Sequence, residues 1–204
     1  MFSGIIQSVN EVAFIEQHGN SLDLAIKVSS EELLSKSALG SSIAINGVCL
    51  TVAERAQDKL IFNVSSETAR ITNLGDLKEN DAVNVEPSLI IGDSLDGHFV
   101  TGHVDALGEV VAIETQDEYT EFKIFFNDEL KPYIAKKCSI CIDGVSLTVN
   151  KVDKNIFSVM IVPHTLKNTI IQFYNLEKRV NLEIDVIARY THSILKQSSR
   201  SDEY

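Results

Sequence analysis

Residues 42–52 read SIAINGVCLTV, and residues 139–149 read SICIDGVSLTV. Eight of the eleven positions are identical, a self-similarity that marks an internal duplication. The same shift of 97 sets Ser30-Glu31-Glu32-Leu33 over Asn127-Asp128-Glu129-Leu130, and Thr68 and Thr72 over Thr165 and Thr169. It also sets Val83-Asn84-Val85-Glu86 over Val180-Asn181-Leu182-Glu183. Near the start the shift is 98, and Ser3-Gly4-Ile5-Ile6 lies over Thr101-Gly102-His103-Val104. The chain is therefore two copies of a unit of about a hundred residues, and its function has to use both.

Each copy reads mainly as strands. Leu22-Leu24-Ile26-Val28, Leu60-Phe62-Val64, Phe122-Ile124-Phe126 and Phe157-Val159-Ile161 alternate with polar neighbours at period two, the pattern of half-buried strands. Short strands with tight Asn46-Gly47 and Asp143-Gly144 turns predict an all-β fold of two small closed antiparallel barrels. One short helix per copy is expected where Ser29-Ser30-Glu31-Glu32 and Asn127-Asp128-Glu129 supply capping residues. The copies divide near residues 95–97, which gives units at 1–97 and 98–186 and a tail at 187–204. The tail has no counterpart in the first copy. Its Ile187, Tyr190, Ile194 and Leu195 fall at helical spacing on one face. That stripe either packs on its own barrel or forms a seam between subunits. The closing SSRSDEY is expected to fray.

Composition narrows the function. Apolar residues make up 44% of the chain, enough to bury a core. A formal charge of −11 with no Lys/Arg cluster argues against nucleic acid or an anionic membrane as partner. No apolar run approaches the roughly 20 residues of a spanning helix. The opening MFSGIIQSVNE lacks the pattern of a signal peptide. Three cysteines without a disulfide pattern fit a reducing compartment, so a cytoplasmic protein is expected. Cys138 and Cys141 form a CxxC, but residues three apart on a strand face opposite sides. The repeat matches them with Ser41 and Ala44, so they read as small packing residues and no metal site is expected.

The matched positions where the copies differ are more informative. His103 stands over Ile5, Cys49 over Ser146, Asn46 over Asp143, Glu67 over His164, and Ser88 over Asp185. Around them the frame is shared: Gly47 and Gly144, Leu50 and Leu147, Thr51 and Thr148. Drift accounts for most differences between duplicated halves. It does not account for proton-carrying and nucleophilic types gathering at these positions. Two sites alike enough to hold one ligand, yet different in reactive groups, suit a reaction between two copies of one molecule. The repeat does not name that molecule.

Several motifs in order do. MFSGII at residue 1, NGVCLTV at 46, SSETARITNLGDLK at 65, GHFVTGHVD at 97, IDGVSLTV at 142, PHTLKNT at 163 and VNLEID at 180 together resemble the riboflavin synthase family, alpha-chain type. The resemblance covers nearly the whole chain. Ser3 stands where the family usually has threonine, and Asp96 where it often has glycine; neither touches the chemistry. The resemblance implies two six-stranded Greek-key barrels, a C-terminal helix and a homotrimer with each site between barrels of neighbouring subunits. It further implies a cofactor-free dismutation. Two molecules of 6,7-dimethyl-8-ribityllumazine exchange a four-carbon unit to give riboflavin and 5-amino-6-(ribitylamino)uracil. Association with a lumazine synthase is compatible with it. The competing reading on the same fold is a non-catalytic lumazine- or flavin-binding protein.

Site residues follow from the resemblance. His103 with Thr148 is the first choice for proton transfer, Ser146 and Asp185 for polarising or hydrating the partner ring, and Cys49 for contact in the N-terminal barrel. Gly4, Ile5 and Ile6, matched by Gly102, His103 and Val104, would offer backbone groups to the pterin edge. Cys49, Leu50 and Thr51, matched by Ser146, Leu147 and Thr148, would line the ring. Asn63, Val64, Ser65, Ser66, Glu67 and Thr68 would form one rim; Met160, Ile161, Val162, Pro163, His164 and Thr165 would form the other. Lys137 would bind ribityl hydroxyls. For Leu50, Leu147, Ile6 and Val104, barrel packing is an equal alternative.

Overall fold

The computed structural model describes residues 1–201, and side chains to 198. The N-terminal unit contains β1 (Ser8–His18), β2 (Ser21–Lys27), α1 (Glu31–Ser35), β3 (Ser42–Ile45), β4 (Val48–Ala56), β5 (Lys59–Val64), α2 (Ser66–Ile71) and β6 (Ala82–Pro87). The C-terminal unit contains β7 (Ala106–Gln116), β8 (Tyr119–Phe125), β9 (Ser139–Ile142), β10 (Val145–Asp153), β11 (Ile156–Ile161), α3 (Pro163–Asn168) and β12 (Arg179–Ile184), followed by α4 (Val186–Ser201). Each set of six strands closes into an antiparallel barrel, in the orders β1-β2-β5-β4-β3-β6 and β7-β8-β11-β10-β9-β12. In each, three hairpin-linked strands are flanked by a returning fourth, the Greek-key order. Every predicted strand is present, and its alternating residues fill the barrel. Leu24, Ile26, Leu60 and Phe62 are fully buried in one unit, and Ile124 and Phe157 take the matching places in the other.

The copies agree even in their irregularities. Register shifts at Val12/Phe14 and Val52/Glu54 recur at Val110/Ala112 and Val149/Lys151, where bulges tighten the strand curvature a small barrel needs. The helices are more numerous than expected. α1 lies where expected and is capped by the second of the two serines, Ser30, whose Oγ accepts from the Leu33 N–H at 3.2 Å, while its counterpart is only a 3-10 turn at Asp128–Leu130. α2 and α3 were not foreseen, because six residues are too few to show a helical period. Ser65 caps α2 by accepting from the Thr68 N–H at 3.1 Å, and Pro163 opens α3, where its missing N–H costs nothing.

Contacts between the barrels come in reciprocal pairs, Ser146 with Gly4 and Cys49 with Gly102, which defines a local two-fold axis at the facing Asn46-Gly47 and Asp143-Gly144 turns. Both turns have left-handed backbone, with φ of 46° and 75° in one and 44° and 83° in the other. A Cβ on Gly47 would lie 2.5 Å from the Gly144 nitrogen, so glycine is what lets the turns touch. Around them Asn73, Asn84 and Asn181 form a buried hydrogen-bonded lattice that includes Asn181 Nδ2 to the Asn46 carbonyl at 2.8 Å and Asn84 Nδ2 to the Asp143 carbonyl at 2.8 Å. In the sequence, Asn46 against Asp143 reads as a difference between reactive groups. The structure corrects that, because both are buried between the barrels.

The segments that precede each barrel also pair. Phe2 N–H donates to the Val100 carbonyl at 2.8 Å and Val100 N–H returns to Phe2 at 3.2 Å. Phe2, Ala44, Val100 and Cys141 form a small buried cluster there, with Cys49 against it. Cys138 instead packs on the C-terminal core, the opposite-face arrangement expected of the CxxC. The stripe on α4 is not covered by its own barrel: Ile187, Tyr190, Ile194 and Leu195 are 60–64% exposed. Of the SSRSDEY end expected to fray, residues 198–201 instead continue α4, and residues 202–204 lie outside the described residues.

Candidate functional site

Two buried glutamates build the site's backbone. Glu86 on β6 accepts from Ser3 N–H at 2.7 Å, Ser3 Oγ at 2.8 Å and Gly4 N–H at 3.1 Å. Glu183 on β12 repeats this with Thr101 N–H at 2.7 Å, Thr101 Oγ1 at 2.7 Å and Gly102 N–H at 3.0 Å. Burial pushes the Glu86 carboxyl up, against the downward pull of its Ser3 and Gly4 donors. Each glutamate thus holds the segment leading into its own barrel.

Each segment then crosses to the other barrel. Ser146 N–H donates to the Gly4 carbonyl at 2.8 Å, and Cys49 N–H donates to the Gly102 carbonyl at 2.9 Å. Ile6 packs against the C-terminal core and Val104 against the N-terminal core. The candidate residues therefore fall into two sets. The N-terminal set is Cys49, Leu50 and Thr51 with Gly102, His103 and Val104, and Asn63, Val64, Ser65, Ser66, Glu67 and Thr68 at the end of β5 and start of α2. The C-terminal set is Ser146, Leu147 and Thr148 with Gly4, Ile5 and Ile6, and Met160, Ile161, Val162, Pro163, His164 and Thr165 at the end of β11 and start of α3. The repeat pairs these residues, but only the fold shows that each leading segment serves the opposite barrel.

Within the sets, side chains differ in what they can offer. Leu50, Val64 and Ile161 are buried in their barrel cores, leaving their backbones toward the face. Thr51, Thr148, His103, Met160 and His164 are exposed, and Cys49 and Ser146 are half-buried. Among the described residues no hydrogen bond joins the two sets, and none joins His103 to Thr148. A cleft of about 680 Å³ reaches the N-terminal set only at Ser66 and Glu67, and one of about 290 Å³ reaches the C-terminal set only at Ile6 and His164. Neither encloses Cys49 or Ser146. Both sets are open faces.

His98, from the GHFVTGHVD motif, adds a polar partner to the C-terminal set. His98 Nδ1 lies 2.7 Å from Ser146 Oγ, and its Nε2 is buried without a protein partner. Burial lowers the pKa of this ring, while the charge of Asp185 raises it to a lesser degree. A neutral imidazole is thereby held against the Ser146 hydroxyl, able to exchange a hydrogen bond with it. The residue escaped the repeat argument because a shift of 98 places it ahead of Met1. Asp185 Oδ1 accepts from Ile187 N–H at 2.9 Å and so caps α4. Lys137 is exposed, with φ of 72° where the first copy has Gly40 at 82°. Lysine in the left-handed region is strained, as are Gln57, Lys154 and Glu177 elsewhere in the chain.

The lumazine binding domain matches this chain twice, over residues 3–88 and 101–185. Riboflavin synthase of Actinobacillus pleuropneumoniae is 38% identical over 195 residues, 96% of this chain and 90% of that protein. Riboflavin synthase of Chlamydia pneumoniae is 39% identical over 197 residues, 97% and 96% of the two chains. The chain belongs to the riboflavin synthase family. Riboflavin synthase of Bacillus subtilis, 32% identical over 201 residues, extends the same relation across 98% of this chain and 93% of its own. Among solved structures, LumP complexed with 6,7-dimethyl-8-(1'-D-ribityl) lumazine superposes with a TM-score of 0.82 at 21% identity. LumP complexed with riboflavin gives 0.84 at 22%. Each covers 90% of this chain and 99% of LumP. At that identity the likeness concerns the fold, while the family's full-length similarity concerns the whole duplicated chain.

Proposed function

We propose that the chain is a riboflavin synthase. It converts two molecules of 6,7-dimethyl-8-ribityllumazine into riboflavin and 5-amino-6-(ribitylamino)uracil. The observation that carries the reading is the pair of matched faces, each built by one barrel and the leading segment of the other. Together the two products hold the atoms of the two substrates, so no oxidant or reductant enters. A non-catalytic lumazine or flavin carrier of the same fold is not favoured, since the full-length relatives are riboflavin synthases.

In this reading each face holds one lumazine, and a site forms where the N-terminal set of one subunit meets the C-terminal set of another. The open faces and the uncovered stripe on α4 support such an assembly, a homotrimer by resemblance. His103 and Thr148, which belong to different sets, would then meet across subunits to take a proton from the 7-methyl group of one lumazine. Ser146, backed by neutral His98, would polarise the other ring towards addition at C7, with the Asp185 charge beside it. Cys49 would contact the lumazine on the N-terminal face. Lys137 would bind ribityl hydroxyls. Stacking the two rings in fixed register would offset about 7–11 kcal/mol of the bimolecular barrier. Three free cysteines support a cytoplasmic location.

The test is direct. Purified protein is mixed with the lumazine alone and flavin absorbance is followed. Two lumazines consumed per riboflavin and per pyrimidine is the expected result; binding without turnover would return the chain to the carrier reading. Deleting residues 186–204 is expected to lower the mass in solution, and an unchanged trimer would remove α4 from the seam.

A further inference from the structure

The segment that bears His103 is held at both ends, and the two copies differ in the side-chain part of the downstream anchor. Upstream, Gly102 is fixed by Glu183 and Cys49, as Gly4 is by Glu86 and Ser146. Downstream lies Asp105. Its backbone N–H donates to the Leu182 carbonyl at 2.8 Å, and its Oδ2 accepts from the Ile184 N–H at 2.9 Å. Arg189, one turn into α4, places Nη2 2.7 Å from Oδ1 and 2.9 Å from Oδ2. The carboxylate is only 12% exposed, so this pair is better shielded than an ordinary surface ion pair.

In the first copy the position of Asp105 is taken by Gln7. Its side chain turns back to the Ile5 carbonyl at 3.1 Å, and no helix follows β6. The backbone bond has a counterpart, Gln7 N–H to the Val85 carbonyl at 3.1 Å, so among the described residues it is the carboxylate anchor that is present where the segment carries His103 and absent where it carries Ile5. Arg189 does not hold the helix by itself, because the His192 and Tyr133 rings also meet, with centroids 5.0 Å apart.

We infer that Arg189, acting through Asp105, is a positioning residue that fixes the backbone on which His103 is presented for proton transfer. The inference rests on the role given to His103 above. It also ties the helix with the uncovered stripe to the competence of the site.

A double-mutant cycle tests it, using the full chain and the lumazine as substrate. Arg189→Ala is expected to lower kcat by about ten- to a hundred-fold, the scale of a small misplacement, with KM nearly unchanged. Arg189→Lys should restore most of it. On a His103→Ala background, Arg189→Ala should add no further loss, because the two act as one unit. Losses that multiply on a slowed His103→Ala enzyme would overturn the positioning role alone. Full turnover by His103→Ala would instead remove the role of His103, and this inference with it. Asp105→Asn, which keeps an acceptor for Ile184, guards against a folding defect and should reproduce the Arg189→Ala result. If both variants lose activity only together with a change of mass in solution, assembly rather than positioning carries the effect and the inference fails.

Discussion

The two barrels agree at most of the contacts that demand one geometry, with buried Asn46 against Asp143 the exception, and many of their differences lie on the faces. Glu86 and Glu183 hold the same three donors, Gly4 and Gly102 accept the same crossing hydrogen bond, and the Gly47 and Gly144 turns meet on the axis. The faces have parted instead: Ile5 against His103, Cys49 against Ser146, Gly40 against Lys137, Gln7 against Asp105. A frame of buried, mutually satisfied polar groups tolerates little change, since each unmatched group costs about 1–3 kcal/mol. Exposed positions around it carry no such penalty. Duplication thus gave two equal cradles whose chemistry could diverge.

That division can be broken at several points. The severest is the axis itself. Gly47→Ala combines a left-handed φ, a cost of about 1–2 kcal/mol, with a Cβ pressed on the facing turn, a further 1–3 or so. A loss of about 2–5 kcal/mol in urea unfolding is expected, and a near-neutral result would mean that the turns are not in contact. Next come the paired glutamates. Glu86→Ala and Glu183→Ala should each cost about 3 kcal/mol or more by stranding buried N–H groups. Turnover should separate them, with Glu183→Ala the slower because its segment carries His103. Equal kinetics would say that the faces are still functionally alike.

A pH titration sharpens the comparison at Asp143, whose counterpart is the uncharged Asn46. Burial drives this carboxyl up to about 6, despite the opposing hydrogen bonds from Tyr174, Asn181 and Asn73. The folded chain therefore holds a proton that the unfolded chain has released above its ordinary value of 3.8. For this group stability is greatest below that value and falls as pH rises through about 6. Asp143→Asn should flatten the slope and raise stability at neutral pH; an unaltered pH–stability curve would place the proton elsewhere. The smallest effect is expected at Lys137. Lys137→Gly relieves left-handed strain but frees the unfolded chain, for a net gain of roughly 0.5 kcal/mol, while KM for the lumazine rises. An unchanged KM would take Lys137 out of ligand binding.

Much of this was legible in the chain. The duplicated SIAINGVCLTV stretch, its Asn-Gly and Asp-Gly turns and the alternating strands gave the two closed barrels, because a strand's period and a tight turn are local properties. The short α2 and α3 were not legible, since their first turns are held by Ser65 and Pro163 rather than by any periodic face. Among the matched differences, sequence could not tell face from interface: Cys49/Ser146 lies on the faces, whereas Asn46/Asp143 lies on the axis.

The sequence by itself determined that there are two like units, what each barrel buries, and which matched positions diverged. Tertiary structure alone decided which residues share a face. Gly4 stands with Ser146 and Gly102 with Cys49 because each leading segment is pinned by its own barrel's glutamate and then crosses to its neighbour. The His98–Ser146 contact and the Arg189–Asp105 tether belong to the same class, spanning 48 and 84 residues. Contacts at such separation leave no period in the chain, and only the closing of the barrels brings their atoms together.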